Sequence, residues 1–567
     1  MCGVVSGGLF WFGRKAAGEM YRKEAMAVVG LSWVLATALG ALPFFLGGVY
    51  RCSSVRLVGP NAAPLLFQFD SVRLRKQWEE VERLSDEEYA VVKAISEAGA
   101  FGLPPKILGK ILPDTDAEQV LRELAKSRTD WRASIIFPNM ESSGPPDRRG
   151  NYRFRWVKMG VADACFEAQS GFSTTGATVL ANLEDPYLVP HSILFWRSTT
   201  HFLGGLGIIV LFVTLLGSGP SSKALMRAEM PGPTKEGSMP RMQQTAWLFA
   251  AVYVGLNIVL ALILLVAGLS LFDALCHAFG TMATGGFSTH NASVGHFSQH
   301  PELYNSVLIE YAIIGFMILA GTNFALLYFS LKGEPGKLVA DVEWRTYMGL
   351  IALATGGVVC FGLWHQDFGS LAVAGRHGLF QVVSIVTTTG YGTADFNSWN
   401  SFARVVLFVL MFVGGCAGST GGGMKVIRYV LMIKILHQEI ELAARPNVVR
   451  PLRLGTKVIT DHGLRKNVLV YFGLIMFIFV LSWIFVVAFE PGNTWGETIE
   501  NKLIDCASGV AATLNNIGPG LGIVGATKQY TAFSPVSKTL FLWLMMLGRL
   551  ELFSILVLFS PRFWRSI

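Results

Sequence analysis

Long apolar stretches, separated by short polar ones, run through most of this chain. Eight of them reach or approach the ~18 to 20 residues that cross a ~30 Å hydrocarbon core. They lie at 24–48, 189–217, 244–268, 303–331, 344–365, 401–424, 466–489 and 535–560. Because such stretches favour membrane-spanning helices, the pattern predicts an all-α polytopic membrane protein.

Composition and charge agree with that prediction. Of 567 residues, 52% are apolar and 15% are charged, whereas an ordinary soluble domain is about 25% charged. The net charge of +8 is not read as a nucleic-acid surface, because the basic residues gather in short loops between apolar stretches. We therefore expect the lipid bilayer as the surroundings and no nucleic acid as a partner. The seven cysteines are scattered singly, which argues against a transition-metal or redox centre.

The distribution of basic residues predicts orientation. Nine Lys or Arg residues lie in 424–467 and none lies in 285–304, so the first loop is expected in the cytoplasm and the second outside. Both termini then fall in the cytoplasm of a multi-pass protein of the cell inner (plasma) membrane. The polar, mixed-charge segment 49–156 is expected to be an extracytoplasmic insert, and a cap or spacer is favoured over a sensor or partner-binding domain.

Four segments along the chain resemble one another. In each, a short apolar run is followed by Thr or Asn residues and then, at once or within a residue or two, by a glycine. They are F-S-T-T-G-A-T (172–178), M-A-T-G-G-F-S (282–288), T-T-T-G-Y-G-T (387–393) and N-N-I-G-P-G-L (515–521). We align them on Gly176, Gly285, Gly390 and Gly518. The sequence thus predicts a unit of span, short helix, glycine loop and span that is repeated four times in one chain.

Three of the short runs begin with an aspartate: Asp163, Asp273 and Asp505. Aspartate suits the N-cap and the positive end of the helix dipole. Each short run is therefore expected to be a half-length helix whose partly negative C-terminal end points to the middle of the membrane. The third unit lacks this Asp and is expected to enter through G-R-H-G-L-F-Q.

The chemistry of the four loops favours a monovalent cation. Irregular backbone at membrane depth is tolerated only where protein buries it or water lines it. Rings of backbone carbonyls can replace the hydration shell of such an ion. One T-x-G alone would be an ordinary turn, but four at matching places favour a filter. With no ring of Asp or Glu, K⁺ is preferred over Na⁺ and divalent ions, while Rb⁺, NH₄⁺ and some Na⁺ passage stay open.

Several long motifs resemble a known group. F-E-A-Q-S-G-F-S-T-T-G-A-T-V-L, H-A-F-G-T-M-A-T-G-G-F-S-T-H-N-A-S, G-G-C-A-G-S-T-G-G-G-M-K-V-I-R and L-G-R-L-E-L-F are similar to the Trk/Ktr/HKT superfamily, and most like its TrkH-type potassium uptake subunits. The resemblance implies four M1-P-M2 pore-loop repeats around one pseudo-fourfold pore and a homodimer of such chains. It also implies a separate, cytosolic, nucleotide-binding regulatory subunit of the TrkA type, with no cofactor in this chain.

The resemblance assigns the filter residue by residue. It falls on Thr174, Thr175, Gly176, Ala283, Thr284, Gly285, Thr388, Thr389, Gly390, Asn516, Ile517 and Gly518.

The predicted division of the chain is a cytoplasmic or interfacial N-terminus (1–23), a first span (24–48), the insert (49–156), pore loop 1 with its second span (157–217), repeat 2 (244–331), repeat 3 (344–435), repeat 4 (466–560) and a cytoplasmic tail (561–567). The two helices that usually precede repeat 1 are expected to be missing or reduced to residues 2–13.

A dense run of glycines follows the third loop. Its members are Gly414, Gly415, Gly418, Gly421, Gly422 and Gly423. Each costs ~1 kcal/mol in a helix relative to alanine, so the span should break here, although a close helix-packing interface is the alternative. By resemblance, the broken segment acts as a gate under the filter.

Arg549 lies well inside the last apolar stretch, where an unpaired charge costs at least ~2.5 kcal/mol. We expect it to face the pore against the glycine run or water, as an electrostatic barrier. The alternative is an ion pair with Glu310. Arg197 and Lys425 are expected to be interfacial anchors.

Together these features predict potassium uptake through a filter of backbone carbonyls. A Na⁺-permeable carrier or an H⁺- or Na⁺-coupled symporter of the same family is the alternative. An intramembrane enzyme and a receptor are remote: the spans hold no H-E-x-x-H and no nucleophile with a base, and no cytosolic effector domain is evident.

Overall fold

A computed structural model describes residues 22–56, 68–69, 135–136, 152–184, 186, 188–215, 242–445, 452–454, 457–459, 462–491, 495, 500–550 and 555–564. Most of the insert expected at 49–156, and the N-terminal residues 2–13, lie outside the described residues.

The described part of the chain is predominantly helical. The helices are α1 (Arg22–Leu46), α2 (Val161–Phe172), α3 (His191–Leu215), α4 (Met242–Val266), α5 (Leu271–Met282), α6 (Gly295–Gln299), α7 (Ser306–Ala320), α8 (Phe324–Leu331), α9 (Gly336–Ala340), α10 (Val342–Trp364), α11 (Leu371–Val386), α12 (Ser401–Leu410), α13 (Val426–Ala444), α14 (His462–Phe489), α15 (Lys502–Leu514), α16 (Pro535–Arg549) and α17 (Pro561–Trp564). Four 3-10 turns lie at Phe396–Ser398, Gly522–Val524, Tyr530–Ala532 and Val557–Phe559.

Short strands accompany the helices. They are β1 (Tyr50–Arg56), β2 (Gln68–Phe69), β3 (Ile135–Ile136), β4 (Tyr152–Lys158), β5 (Leu452–Leu454) and β6 (Lys457–Ile459). Strand β1 pairs antiparallel with β4, from Tyr50 opposite Lys158 to Arg56 opposite Tyr152. The chain thus leaves α1 and returns to α2 through the β1–β4 ladder, and β2 pairs antiparallel with β3 between them.

The fourfold unit predicted from the sequence is confirmed. Four short helices, α2, α5, α11 and α15, have 12, 12, 16 and 13 residues. Each packs against one helix that precedes it and one that follows it in the chain: α1 and α3, α4 and α7, α10 and α12, and α14 and α16. Helix α16 also packs against α2, so the fourth unit meets the first.

The helix starts differ from the expectation that the aspartates are N-caps. The caps of α2, α5 and α15 are Gly160, Ser270 and Asn501, and the aspartates lie inside the first turn. In α5 the Asp273 amide donates to Ser270 Oγ at 3.1 Å. The aspartates remain at the positive end of the helix dipole, but the helices begin earlier than predicted. Helix α11 likewise begins at Leu371, so G-R-H-G-L-F-Q lies within it.

The lengths and compositions of the described helices indicate which of them can cross a membrane without a break. Among the described residues, three are long and apolar enough to cross a membrane: Trp247–Val266, Val342–Trp364 and Arg465–Phe489. Helices α7 and α8 form a fourth only as a pair bent by 107°. The stretch 303–331 was expected to be unbroken. It breaks because Asn323 caps α8, accepting from the Ala325 amide at 2.8 Å, while the Gly321 carbonyl accepts from the Cys416 amide at 2.8 Å.

Candidate functional site

The four loops share one backbone geometry. Immediately after each short helix and its C-cap comes a residue with a positive φ. These residues are Thr174 (51°), Thr284 (54°), Thr388 (59°) and Asn516 (56°). Two positions later stands a glycine with a positive φ: Gly176 (81°), Gly286 (76°), Gly390 (82°) and Gly518 (95°). We call residues 173–176, 283–286, 387–390 and 515–518 together the loop ring, and number its positions 1 to 4.

This register corrects the alignment of the second loop by one residue. Gly286, not Gly285, occupies position 4, and Ala283 is the helix C-cap at position 1. The sequence could not separate the two because the glycines are adjacent, and only one of them takes a positive φ. Thr284 and Gly285 therefore stand at positions 2 and 3.

Each loop is closed by the same pair of hydrogen bonds. The position 3 amides of Thr175, Gly285, Thr389 and Ile517 donate to carbonyls five residues earlier at 2.9, 2.8, 2.8 and 2.8 Å. The position 2 amides donate to carbonyls three residues earlier. This is the Schellman motif, which usually has glycine where Thr174, Thr284 and Thr388 stand. Non-glycine residues in this conformation store ~1 to 3 kcal/mol of strain, which the surrounding contacts must hold.

The loops meet one another in a closed ring. A Cβ added to Gly176 would overlap the carbonyl oxygen of Gly285, and one added to Gly286 would overlap that of Thr389. The remaining two contacts continue the cycle. A Cβ on Gly390 would overlap the Ile517 oxygen, and one on Gly518 would lie 2.5 Å from the Thr175 oxygen. Every position 4 glycine thus packs on the position 3 carbonyl of the next loop, so the four loops surround a single axis in chain order.

Side chains brace the ring from behind. Thr387 Oγ1 lies 2.7 Å from Thr389 Oγ1 in the third loop. The equivalent pair in the first loop, Ser173 Oγ and Thr175 Oγ1, also lies at 2.7 Å. Asn516 Nδ2 donates to Thr175 Oγ1 at 2.9 Å, which links the fourth loop to the first. All five side chains are buried.

His201 braces the second loop, where Gly285 has no side chain at position 3. A Cβ on Gly285 would overlap the His201 ring. That ring is fully buried and stacks on Phe287 with a centroid distance of 4.0 Å and an angle of 12°. The imidazole on α3 thus occupies the space that a side chain fills in the other loops. The only sequence signal for it is a histidine within an apolar stretch.

Arg197 is not the interfacial anchor that the sequence suggested. It is 2% exposed, and its Nε lies 2.6 Å from Glu167 Oε1 on α2. Its Nη1 donates to the Ser288 carbonyl at 2.8 Å, and the guanidinium lies 3.6 Å from the centre of the Phe287 ring. Glu167 also accepts from Thr178 Oγ1 at 2.9 Å. This buried ion pair joins the chain after the first loop to the chain after the second.

Tyr391 directly follows the third loop in the chain. It is fully buried, and its hydroxyl lies 3.2 Å from the Phe287 carbonyl and 3.3 Å from the His277 carbonyl, either of which can accept its proton. Tyr391 therefore ties the third loop to the second, in addition to any local role.

One open cavity touches all four loops. Its lining includes the position 4 glycines Gly176, Gly286, Gly390 and Gly518. It continues past Arg197, Ser288, His290 and Asn291. We call this cavity the vestibule. Because it meets the ring at every position 4 glycine, a solute in it has access to the axis that the loops surround.

The glycine run lies against the loop ring. Helix α12 ends at Leu410 and α13 begins at Val426, so the predicted break in the span is confirmed; residues 411–425 are called the glycine-rich loop. The Gly422 amide donates to Thr388 Oγ1 at 2.7 Å. A Cβ on Gly422 would lie 2.6 Å from the Asn516 Cβ.

The other glycines of this loop also pack closely. A Cβ on Gly421 or Gly423 would lie 3.1 Å from the Thr387 oxygen or 3.2 Å from the Asn515 oxygen, respectively. Gly414 and Gly415 approach main-chain oxygens of Gly422 and Gly321, and Gly418 has a φ of 74°. The loop therefore contacts two members of the ring through its backbone.

Arg549 contacts the glycine-rich loop, as predicted. Its Nη1 donates to the Thr420 carbonyl at 2.6 Å and its Nη2 to the Gly204 carbonyl of α3 at 3.0 Å. Glu310, considered as its ion-pair partner, instead lies 3.3 Å from Arg376 Nε.

Lys425, expected to be an interfacial anchor, is 6% exposed and donates to the carbonyls of Gly421 and Gly422. Two buried cations therefore hold carbonyls of the glycine-rich loop.

Comparison with known proteins identifies the family. The TrkH model, described as a cation transport protein, matches residues 147–566. The Trk system potassium uptake protein TrkH of Escherichia coli (strain K12) is 39% identical over 411 residues, which cover 72% of this chain and 80% of that protein. The protein of the same name from Halomonas elongata is 38% identical over 414 residues, covering 71% and 80%. The crystal structure of the potassium transporter TrkH from Vibrio parahaemolyticus matches with a TM-score of 0.61 and 28% identity, covering 88% of this chain and 100% of that one. The chain belongs to the TrkH family of cation transport proteins.

Proposed function

We propose that this protein takes up K⁺ through the loop ring. The observation that carries the proposal is the closed cycle in which each position 4 glycine packs on the position 3 carbonyl of the next loop. Glycine at these positions leaves no side chain between neighbouring main chains, so carbonyl oxygens can face an ion on the axis. The relatives from E. coli and H. elongata are potassium uptake proteins by name, which supports K⁺ as the ion.

The proposed ion ligands are backbone carbonyls of positions 1 to 4. In the second loop these are the carbonyls of Ala283, Thr284, Gly285 and Gly286. Neutral carbonyls favour a weakly hydrated monovalent cation over divalent ions. The fourth loop carries Asn516 and Ile517 in place of two threonines, so its side chains brace the ring differently and the coordination is less uniform.

The proposed gate is the glycine-rich loop with Arg549. This loop packs on the ring through Gly422, and Arg549 tethers it through Thr420 to α3. A guanidinium near the path repels cations, and the repulsion is strong where water is scarce. Opening then requires the loop to leave the ring. The glycines at 414–423 suit such a movement because a helix here is costly.

The proposed setting follows from the charge pattern. The basic loop 424–467 faces the cytoplasm of the cell inner membrane, and the vestibule opens outside. A homodimer and a cytosolic TrkA-type regulatory subunit that binds nucleotide complete the proposed assembly, with no cofactor in this chain.

Uptake of ⁸⁶Rb⁺ into proteoliposomes tests the function. The expected result is Rb⁺ uptake driven by an internal K⁺ load and competed by external K⁺ more strongly than by Na⁺. The assay is run with and without the regulatory subunit, on protein shown to be monodisperse. Absence of uptake under both conditions would contradict the proposal.

A further inference from the structure

Three side chains of types that can bind metals lie close together beside the vestibule. Glu184 follows the first loop of the ring, whereas His290 and His296 follow the second. Glu184 Oε1 lies 3.7 Å from His290 Nδ1 and 3.8 Å from His296 Nδ1. One ligand atom from each residue lies within 4.8 Å of the other two. The cluster thus joins two repeats at the rim of the path proposed for the ion.

The spacing suits a small divalent ion after a modest adjustment. Zinc binds imidazole nitrogen at ≈ 2.0 to 2.1 Å and carboxylate oxygen at ≈ 2.0 to 2.2 Å, which separates tetrahedral ligands by roughly 3.3 Å. The Glu184 distances exceed this by a few tenths of an ångström. The His290 and His296 rings are stacked, with centroids 3.7 Å apart and an angle of 2°. Both rings must open from parallel for their Nδ1 lone pairs to converge, and Glu184, whose side chain is 43% exposed, has room to follow.

The surroundings of His290 also point to a ligand. Within the described residues neither of its buried ring nitrogens has a hydrogen-bond partner. A buried polar atom left without a partner costs ~1 to 3 kcal/mol. Its Nε2 lies 3.7 Å from Asp273 Oδ1, which also accepts from Thr289 Oγ1 at 2.7 Å. A carboxylate that accepts from the outer nitrogen of an imidazole fixes the tautomer of a metal-binding histidine. Asp273 and His290 must approach by roughly half an ångström to make that hydrogen bond.

Hydrogen bonds hold the two loop segments together at this point. The Leu183 amide donates to Asn291 Oδ1 at 2.8 Å, and the Asn291 amide donates to Glu184 Oε1 at 3.0 Å. The ligands are therefore presented by backbone whose spacing is set before any ion arrives. Two imidazoles with one carboxylate select a transition metal over Mg²⁺ or Ca²⁺, which prefer oxygen.

We propose that Glu184, His290 and His296 bind a transition-metal dication of the Zn²⁺ class, with water in the remaining coordination position. His290 also lines the vestibule. A bound dication there repels monovalent cations approaching the ring, so occupancy lowers uptake. This consequence, unlike the binding itself, rests on the proposed function.

Zinc binding to the untagged protein in detergent tests the site directly. Competition with a chromogenic Zn²⁺ indicator is expected to show one site per chain. Zinc binding is also expected to raise the melting temperature of the protein. The variants His290→Ala, His296→Ala and Glu184→Gln are each expected to lose at least tenfold in affinity. His300→Ala is the matched control. The exposed His300 ring is not one of the three proposed ligands, and its centroid lies 4.9 Å from that of the His296 ring. Equal affinity in all four variants, or no binding at all, would overturn the proposal.

A second measurement separates the site from the transport function. External Zn²⁺ is added to proteoliposomes during ⁸⁶Rb⁺ uptake, and the expected result is a several-fold inhibition that His296→Ala removes and His300→Ala retains. Inhibition that persists in His296→Ala would overturn the link between this site and uptake. Failure of Rb⁺ uptake without zinc would instead count against the proposed function and leave the binding result standing.

Discussion

Replacing Gly390 by serine should damage ion selectivity more than stability. Gly390 has a φ of 82°, which costs an ordinary L-residue ~1 to 2 kcal/mol. The added Cβ would overlap the Ile517 oxygen and lie 2.8 Å from Pro519 Cδ. Non-bonded heavy atoms settle at about 3.5 Å, so the third and fourth loops must part by roughly 1.5 Å. That movement displaces the Ile517 carbonyl, one of the proposed ion ligands.

The expected effect is a loss in the K⁺ over Na⁺ permeability ratio on the order of tenfold, because ~1.4 kcal/mol of lost discrimination corresponds to a factor of ten. Reversal potentials of protein in planar bilayers under K⁺ and Na⁺ gradients measure the ratio. Gly375→Ser is the matched control, since a Cβ at Gly375, in the helix preceding the same loop, meets no atom within 4 Å. An unchanged ratio in folded Gly390→Ser protein would refute the role of this carbonyl ring.

Three further substitutions test the contacts around the ring. Arg549→Ala should raise basal ⁸⁶Rb⁺ uptake several-fold, since it removes the proposed barrier and the bond to the glycine-rich loop; a fall in uptake with unchanged protein yield would contradict this. Thr388→Val leaves the Gly422 amide without its acceptor, which costs the closed loop ~1 to 3 kcal/mol and should also raise basal uptake; unchanged uptake would contradict that role. Glu167→Gln leaves Arg197 buried without its counter-charge, a loss of ~3 to 5 kcal/mol that should lower the melting temperature in detergent; an unchanged melting temperature would contradict the value assigned to this pair.

The repeat architecture was predictable because it depends on local patterns. Four Thr/Asn-Gly loops after short apolar runs can be recognised in the sequence alone. The structure confirms the four units that contain them. The register of the second loop was not predictable, since Gly285 and Gly286 are adjacent and only the backbone angles distinguish them. Six glycines in residues 414–423 were enough to predict the break after Leu410.

The remaining errors concern partners that are distant in sequence. Arg197 was predicted to be an interfacial anchor because its partners, Glu167 and the Ser288 carbonyl, lie 30 and 91 residues away in the sequence. The bend between α7 and α8 depends on the Gly321 carbonyl, whose donor at Cys416 belongs to another repeat. The apolar pattern along the sequence contains no information about such long-range contacts.

The central claim is that the four loops jointly bind the transported ion through their carbonyls. Anomalous diffraction from crystals of this protein soaked in Rb⁺ tests it most directly. The account predicts anomalous density on the axis of the loop ring, within coordination distance of position 3 carbonyls from all four loops. Ordered Rb⁺ found only away from that axis, or a ring that stays empty at saturating Rb⁺, would contradict it.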